Sequence, residues 1–183
     1  VSKKELLEKS GATTTIFNGL VDKGIFEVYY QEIGRLNKSD VATFELNALN
    51  PSQQGAFSAI LESFQQKNVC LLHGVTSSGK TEIYIHLIQE ALKQGKQVLY
   101  LLPEIALTTQ ITERLKRVFG KRLGVYHSKF PDAERVEIWK KQLGDEEYDV
   151  ILGVRSSIFL PFKRLGLVIV DEEHENTYKQ QDP

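Results

Sequence analysis

The stretch Asn68-Val69-Cys70-Leu71-Leu72-His73-Gly74-Val75-Thr76-Ser77-Ser78-Gly79-Lys80-Thr81-Glu82-Ile83-Tyr84 decides how this chain folds. Its centre, Gly74 to Thr81, fits the pattern G-x-x-x-x-G-K-[ST] at every fixed position. The apolar run before it predicts a strand over Asn68–Leu72. The residues after it predict a helix over Thr81–Gln94, with Ile83, Tyr84, Leu87, Ile88, Ala91 and Leu92 on one face and Gly95 closing it. Strand, glycine loop and helix in that order form an anion cradle. The glycines let successive N–H groups face one point, and the helix aims its positive end at the same place. Lys80 suits the β- and γ-phosphates of ATP, and the Thr81 hydroxyl suits Mg2+. The bland alternative, a glycine-rich turn carrying a solvated lysine, lacks a reason for the flanking strand and helix.

Downstream the same alternation repeats. Val98–Leu102 reads as a strand stopped by Pro103, Thr108–Phe119 as a helix closed by Gly120, and Leu123–His127 as a third strand. Ala133–Leu143 reads as a helix stopped by Gly144, and Tyr148–Leu152 as a fourth strand. Leu167–Val170 is a fifth strand whose wholly apolar composition predicts a central position. Strands alternating with helices require a parallel sheet with right-handed crossovers, so the fold class is an α/β open sheet. The fifth strand runs into Asp171-Glu172-Glu173-His174. About ninety residues after a phosphate loop, an acid at a strand end is the other half of a nucleotide-hydrolysing site. Asp171 is the candidate for Mg2+ and Glu172 for polarising the attacking water. Upstream, Gln53 could read an adenine edge, because its amide both donates and accepts. Equally, Asn50-Pro51 could simply start a helix there.

Composition sets the bounds. The 183 residues are 41% hydrophobic and 26% charged, enough apolar content for one domain or one domain and a piece of another. No run of about 18 apolar residues exists, so no membrane partner is expected. The start, Val1-Ser2-Lys3-Lys4-Glu5, has no apolar leader, and a lone Cys70 rules out an internal disulfide or cysteine-based zinc site. Both fit a cytoplasmic protein. The absence of Met suggests a fragment of a longer chain. Charge gives no signal for nucleic acid: 23 basic residues face 24 acidic ones, and residues 1–45 hold six against seven. Any contact with DNA must come from local geometry. Those first residues read as a helix over Lys3–Lys9 capped by Ser2, a second over Thr13–Lys23 with Ile16, Phe17, Leu20 and Val21 in one stripe, and a strand over Ile25–Tyr30. That order is what the end of a winged helix would look like, and it also suits a small helical appendage with no DNA role; residues 32–48 read as a linker.

Taken together, these residues resemble a family. The phosphate loop and Asp171-Glu172-Glu173-His174 are similar to motifs I and II of superfamily-2 helicases of the DEAH-like type. Leu102-Pro103-Glu104-Ile105-Ala106-Leu107-Thr108-Thr109-Gln110, Tyr126-His127-Ser128 with Glu134-Arg135 and Trp139, Gly153-Val154-Arg155-Ser156-Ser157-Ile158-Phe159, and Asp171 through Gln180 resemble blocks of the primosomal protein N′ family of replication-restart helicases. Val154 departs from the family's usual Thr.

The resemblance implies a RecA-like P-loop lobe at 46–183, incomplete here, after a partial winged-helix domain and linker at 1–45. It implies an ATP-dependent 3′-to-5′ DNA helicase that restarts replication and assembles primosomes at stalled forks. Forked and single-stranded DNA, primosome proteins and single-stranded DNA-binding protein are the implied partners. ATP and Mg2+ are the implied cofactors, with zinc only in parts of the family outside this chain. The family's second motor lobe is absent, so this chain is expected to bind ATP weakly and hydrolyse it very slowly. By the same resemblance Gln53 reads adenine and His174 couples the ATP site to DNA. Tyr178 and Lys179 begin an aromatic loop that senses single strands. Glu104, Ala106, Leu107, Thr108, Gln110, Arg155 and Ser156 meet the DNA backbone.

The remaining features have plainer readings. Trp139 and Cys70 are expected in the core and His127 as a strand cap. Arg114, Lys116, Arg117, Lys121 and Arg122 are expected to form a solvated face. Two rivals stand beside the helicase: a P-loop small-molecule kinase, which would need an acceptor lid, and a non-enzymatic winged-helix DNA binder that senses ATP, which would need a basic recognition helix. Thr13–Lys23 holds one base, Lys23.

Overall fold

A computed structural model describes residues 3–26, 46–75, 78–103, 106, 108–127 and 129–179. The chain divides into two compact units, Val1–Arg35 and Leu36–Pro183.

In the first unit α1 (Lys3–Ser10) and α2 (Thr14–Asp22) are both helical, as their spacing predicts. Phe17 is buried and packs against the Phe26 ring at 5.8 Å, while Ile16 is exposed. Only part of the expected stripe is therefore covered among the described residues. Ile25 and Phe26 do not begin a strand. Their N–H groups fold back to the Leu20 carbonyl at 3.0 and 3.3 Å, which closes the helix instead. Ser2, Glu27 to Tyr30 and the linker residues 32–45 lie outside the described residues.

The second unit is an all-parallel sheet of four strands, β1 (Gln97–Leu101), β2 (Leu123–Tyr126), β3 (Val150–Gly153) and β4 (Leu165–Val170), in the order β2-β3-β1-β4. Among the described residues four α-helices accompany it: α3 (Pro51–Phe64), α4 (Lys80–Lys93), α5 (Thr109–Phe119) and α6 (Asp132–Leu143). Alternation along β1 sends Val98 and Tyr100 into a core shared with α3, α4 and α5, around Ile83, Leu87, Ile88, Leu115 and Phe119. Leu99 and Leu101 enter a second core with Ile138 of α6, Tyr148, Ile151 and Leu160. All five β1 residues are buried, as a strand covered on both faces must be. Leu46 packs on the first core, Asn47 donates to Glu82, and the Asn47 carbonyl bonds His86 at 2.9 Å. The last residues of the expected linker are thus part of the domain.

Four expectations need correction. Asn68–Leu72 is not in the sheet, and Val69 and Leu71 are 81% and 71% exposed. A cleft of about 1270 Å³ separates this segment from β4, so no ladder bonds form between them. For the same reason β4 is the edge of the described sheet rather than its centre, with Leu165, Val168 and Val170 partly exposed. Its apolar composition reflects the cleft it faces. Cys70 accordingly is only half-buried. Trp139 is 43% exposed, because α6 turns Ile138 and Gln142 inward and leaves Val136, Trp139 and Leu143 outside.

A polar residue ties the sheet's lower end. Gln97 is wholly buried; its Nε2 donates to the Tyr148 carbonyl and its Oε1 accepts from the N–H groups of Lys163 and Arg164, each at 2.9 Å. One amide thereby satisfies three backbone groups on the loops before β3 and β4. Gln97→Leu keeps the volume and orphans all three. It should lower stability by about 3 kcal/mol, read in urea unfolding as a lower midpoint at unchanged slope.

Candidate nucleotide-binding site

The phosphate loop is set by its neighbours on both sides. Asn50 caps α3: its Oδ1 accepts from Gln53 N–H and the Gln53 Oε1 accepts from Asn50 N–H, both at 2.9 Å. This reciprocal cap leaves the Gln53 Nε2 pointing away from the helix, where it donates to the Gly79 carbonyl at 3.3 Å. The helix-start reading of this segment therefore holds, and the same side chain also touches the loop. Gly79 has φ +82, and a methyl group there would lie 2.4 Å from Gln53 Nε2. Only glycine fits, on conformation and on space.

Lys80 and Thr81 open α4, so their position at the helix's positive end follows from the fold. Lys80 Nζ donates to the Gly74 carbonyl at 2.8 Å and thus spans the loop from end to start. Ser78 N–H donates to Val75 O, closing a turn. Thr76 and Ser77 lie outside the described residues.

Across the cleft, β4 delivers the acids. Asp171 N–H donates to the Leu101 carbonyl at 3.0 Å, one last rung beyond the β1–β4 ladder. The chain then turns sharply. Glu172 takes φ +51, a left-handed conformation that costs a residue with a Cβ about 1 kcal/mol. Glu172 N–H donates to Asp171 Oδ1 at 3.1 Å, and His174 Nε2 lies 3.6 Å from Glu172 Oε2. Gly74, Val75, Lys80, Asp171, Glu172, Glu173 and His174 line the same cleft.

Three tyrosines surround Asp171, and sequence reasoning assigned only Tyr178, to another role. Tyr100 Oη donates to Asp171 Oδ2 at 3.0 Å, Tyr84 Oη reaches Oδ1 at 3.5 Å, and Tyr178 Oη donates to the Asp171 carbonyl at 2.9 Å. Burial, reinforced by the neighbouring Asp171 charge, pushes all three phenols well above their ordinary values. They remain protonated donors. Tyr84 follows Lys80 by one helical turn and was read only as part of the apolar face of α4. Tyr100 carried no such signal without the strand order.

A loop with a lysine across it, a helix N-terminus and an acid in one cleft is an arrangement suited to a polyphosphate and a hydrated divalent cation. The crowding at Gly79 shows a cradle built to main-chain width. Comparison with known proteins decides the class: the model of the DEAD/DEAH box helicase family matches residues 50–183. The chain belongs to the DEAD/DEAH box helicase family. Such a domain uses ATP and Mg2+. A second model, described as the winged helix domain of PriA helicase from Bacteroidota, matches residues 1–33.

Among relatives, the chain is similar to the replication restart protein PriA of Bacillus subtilis, 39% identical across 97% of this chain and 22% of the relative. PriA of Chlamydia pneumoniae is 40% identical across 97% and 24%, and that of Helicobacter pylori strain J99 is 48% identical across 74% and 21%. The chain thus spans about a fifth to a quarter of the length of the curated relatives it matches.

The remaining family-derived candidates fall in separate segments of the chain. Thr108 caps α5, its Oγ1 accepting from Ile111 N–H at 3.5 Å, and Gln110 is exposed in the first turn. Ala106 leans on the first core; Glu104 and Leu107 lie outside the described residues. Arg155 and Ser156 begin a short 3-10 turn after β3, and the Ser156 hydroxyl is buried with no hydrogen-bond partner among the described residues. Val154 is 2% exposed, so its side chain faces the interior rather than solvent. His127 caps a turn by accepting from Lys129 N–H at 3.0 Å. Arg114 pairs with Glu82 and Arg122 with Asp149, so the basic cluster is partly neutralised. Lys179 is exposed.

Gly79→Ala tests the cradle. It should cost about 1 kcal/mol through its positive φ alone, with more from displacing Gln53, and should abolish binding of a fluorescent ATP analogue measured in the same sample.

Proposed function

We propose that this chain is the ATP-binding part of a 3′-to-5′ DNA helicase that acts in replication restart and primosome assembly at stalled forks in the cytoplasm. The observation that carries the reading is the shared cleft: the phosphate-loop lysine and the acids after β4 face one another across it. Similarity to replication restart proteins over nearly the whole chain supplies the biological setting. The domain division follows: residues 1–45 as part of a winged helix with its linker, residues 46–183 as the first RecA-like lobe.

The site residues take these roles. Gln53 stands between helix cap and loop and would read the adenine edge while holding Gly79. The N–H groups from Gly74 to Thr81, with the positive end of α4, bind the phosphates. Lys80 leaves the Gly74 carbonyl for the β- and γ-phosphates and neutralises charge that grows on the transferred group. Thr81 and Asp171 would hold Mg2+, which when bound withdraws charge from the phosphate oxygens. Glu172 orients and deprotonates the water aimed at the γ-phosphate. His174, 3.6 Å from Glu172, links this carboxylate to the DNA side. Ala106, Thr108, Gln110, Arg155 and Ser156, with Glu104 and Leu107, would meet the DNA backbone through main-chain and short polar groups. Tyr178 and Lys179 would meet a single strand. Forked and single-stranded DNA, primosome proteins and single-stranded DNA-binding protein are the proposed partners; a zinc site would belong to other parts of the protein. The isolated chain would bind ATP weakly and turn it over very slowly.

The test uses the intact protein that carries this chain. ATP turnover should rise at least ten-fold with a forked DNA, and Lys80→Ala should reduce the stimulated rate at least a hundred-fold. Turnover indifferent to DNA would overturn the helicase reading in favour of small-molecule phosphoryl transfer.

A further inference from the structure

We propose that Tyr100, braced by Tyr84, is a positioning residue that fixes the Asp171 carboxylate for its cation. The inference rests on the reading of Asp171 as the Mg2+ acid and names what holds it in place. Two phenols come from two different elements, β1 and α4, and between them they reach both carboxylate oxygens, at 3.0 and 3.5 Å. Their rings meet edge to face, with centroids 5.6 Å apart and planes at 75°, so each ring packs against the other. Tyr100 is wholly buried and Tyr84 nearly so, which locks both rotamers. The main chain at Asp171 is pinned as well, by Leu101 on one side and by the Tyr178 hydroxyl on the other. A carboxylate so framed has lost its rotamer freedom before any cation arrives. Hydrogen bonds of this outer kind orient a ligand and tune its affinity for metal.

Two facts separate this role from ordinary packing. A phenylalanine would fill the same space in β1, yet the hydroxyl is present and its partner is the proposed metal acid. Tyr84 sits one turn after Lys80, so the helix that presents the phosphate loop also braces the acid across the cleft. The loop and the acid are thus joined through Tyr84 and Tyr100.

Tyr100→Phe and Tyr84→Phe remove one oxygen each. In the intact protein with forked DNA, ATP turnover is titrated with Mg2+, alongside thermal unfolding of the same variants. The expected result for Tyr100→Phe is about a ten-fold rise in the Mg2+ concentration for half-maximal rate, a maximal rate within two-fold of the parent, and an unfolding midpoint within a few degrees of it. Tyr84→Phe, through its longer contact, should shift the half-maximal concentration in the same direction by less, and serves if Tyr100→Phe does not fold. Asp171→Asn is the control. If it abolishes turnover while both phenylalanine variants keep the parent's Mg2+ dependence, the tyrosines are packing residues and the proposal falls. If Asp171→Asn leaves turnover and Mg2+ dependence intact, the assignment of Asp171 itself fails and takes the proposal with it.

Discussion

The pairing of β1 between β3 and β4 is the constraint on which the rest depends. It runs in register from Val98 to Leu101 on both sides, opposite Val150 to Gly153 and Leu167 to Val170. β1 is far in sequence from β3 and β4, so the sheet brings Asp171 level with the end of β1. Once Asp171 N–H takes the Leu101 carbonyl, Tyr100 is beside the carboxylate by pleat geometry. The lower end of the same strand is fixed by Gln97, whose amide bonds loops that precede both neighbours. A polar residue in a wholly buried strand is worth its desolvation only when all its groups are used. Here it replaces three separate loop contacts and sets the heights of β3 and β4 relative to β1.

The second constraint is local and stands on the other side of the cleft. The phosphate loop has little apolar surface with which to hold its shape. Its restraint comes from Gln53, engaged by the α3 cap, and from Lys80, tied to Gly74. In the proposed role Lys80 would release the Gly74 carbonyl to engage a phosphate, so the loop is kept closed on itself by the proposed binding group. A charged donor on a neutral carbonyl is readily traded for one on a phosphate, where the interaction is charge-assisted at both ends.

Helices and motifs were legible because their signals are local. A period of 3.6 in Ile83, Tyr84, Leu87 and Ile88, an Asn-Pro start to α3 and fixed glycines in the loop need no partner to be recognised. Strand positions were less so. Leu167–Val170 looked central because apolar composition reports what a strand's faces meet, not how many neighbours it has. Asn68–Leu72 looked like a strand because its residues favour one, but a ladder needs a neighbour at about 4.8 Å, and a cleft lies there instead. Trp139 was expected inside on residue type alone, whereas the phase of α6 is set by Ile138 and Gln142.

The candidate site divides along the same line. Gly74 to Thr81 and Asp171-Glu172 were readable from pattern and spacing, and the fold brings Gly74, Val75, Lys80, Asp171 and Glu172 to a single cleft. What holds them was not readable, because it is made of contacts 71 and 87 residues apart in sequence, Tyr100 and Tyr84 to Asp171. The Tyr178 contact carries a further consequence. Read from sequence, that ring belongs to a loop that stacks on single-stranded DNA; in the fold its hydroxyl holds the Asp171 carbonyl while its ring leans on the second core. The two uses compete for one side chain. If a base draws the ring outward, the restraint on the Asp171 main chain is released, and the acid is then fixed only by Leu101 and the two buried tyrosines. A main-chain support that a bound base would draw away gives the proposed site a physical means of answering DNA, while the hold of Tyr84 and Tyr100 on the carboxylate does not depend on Tyr178.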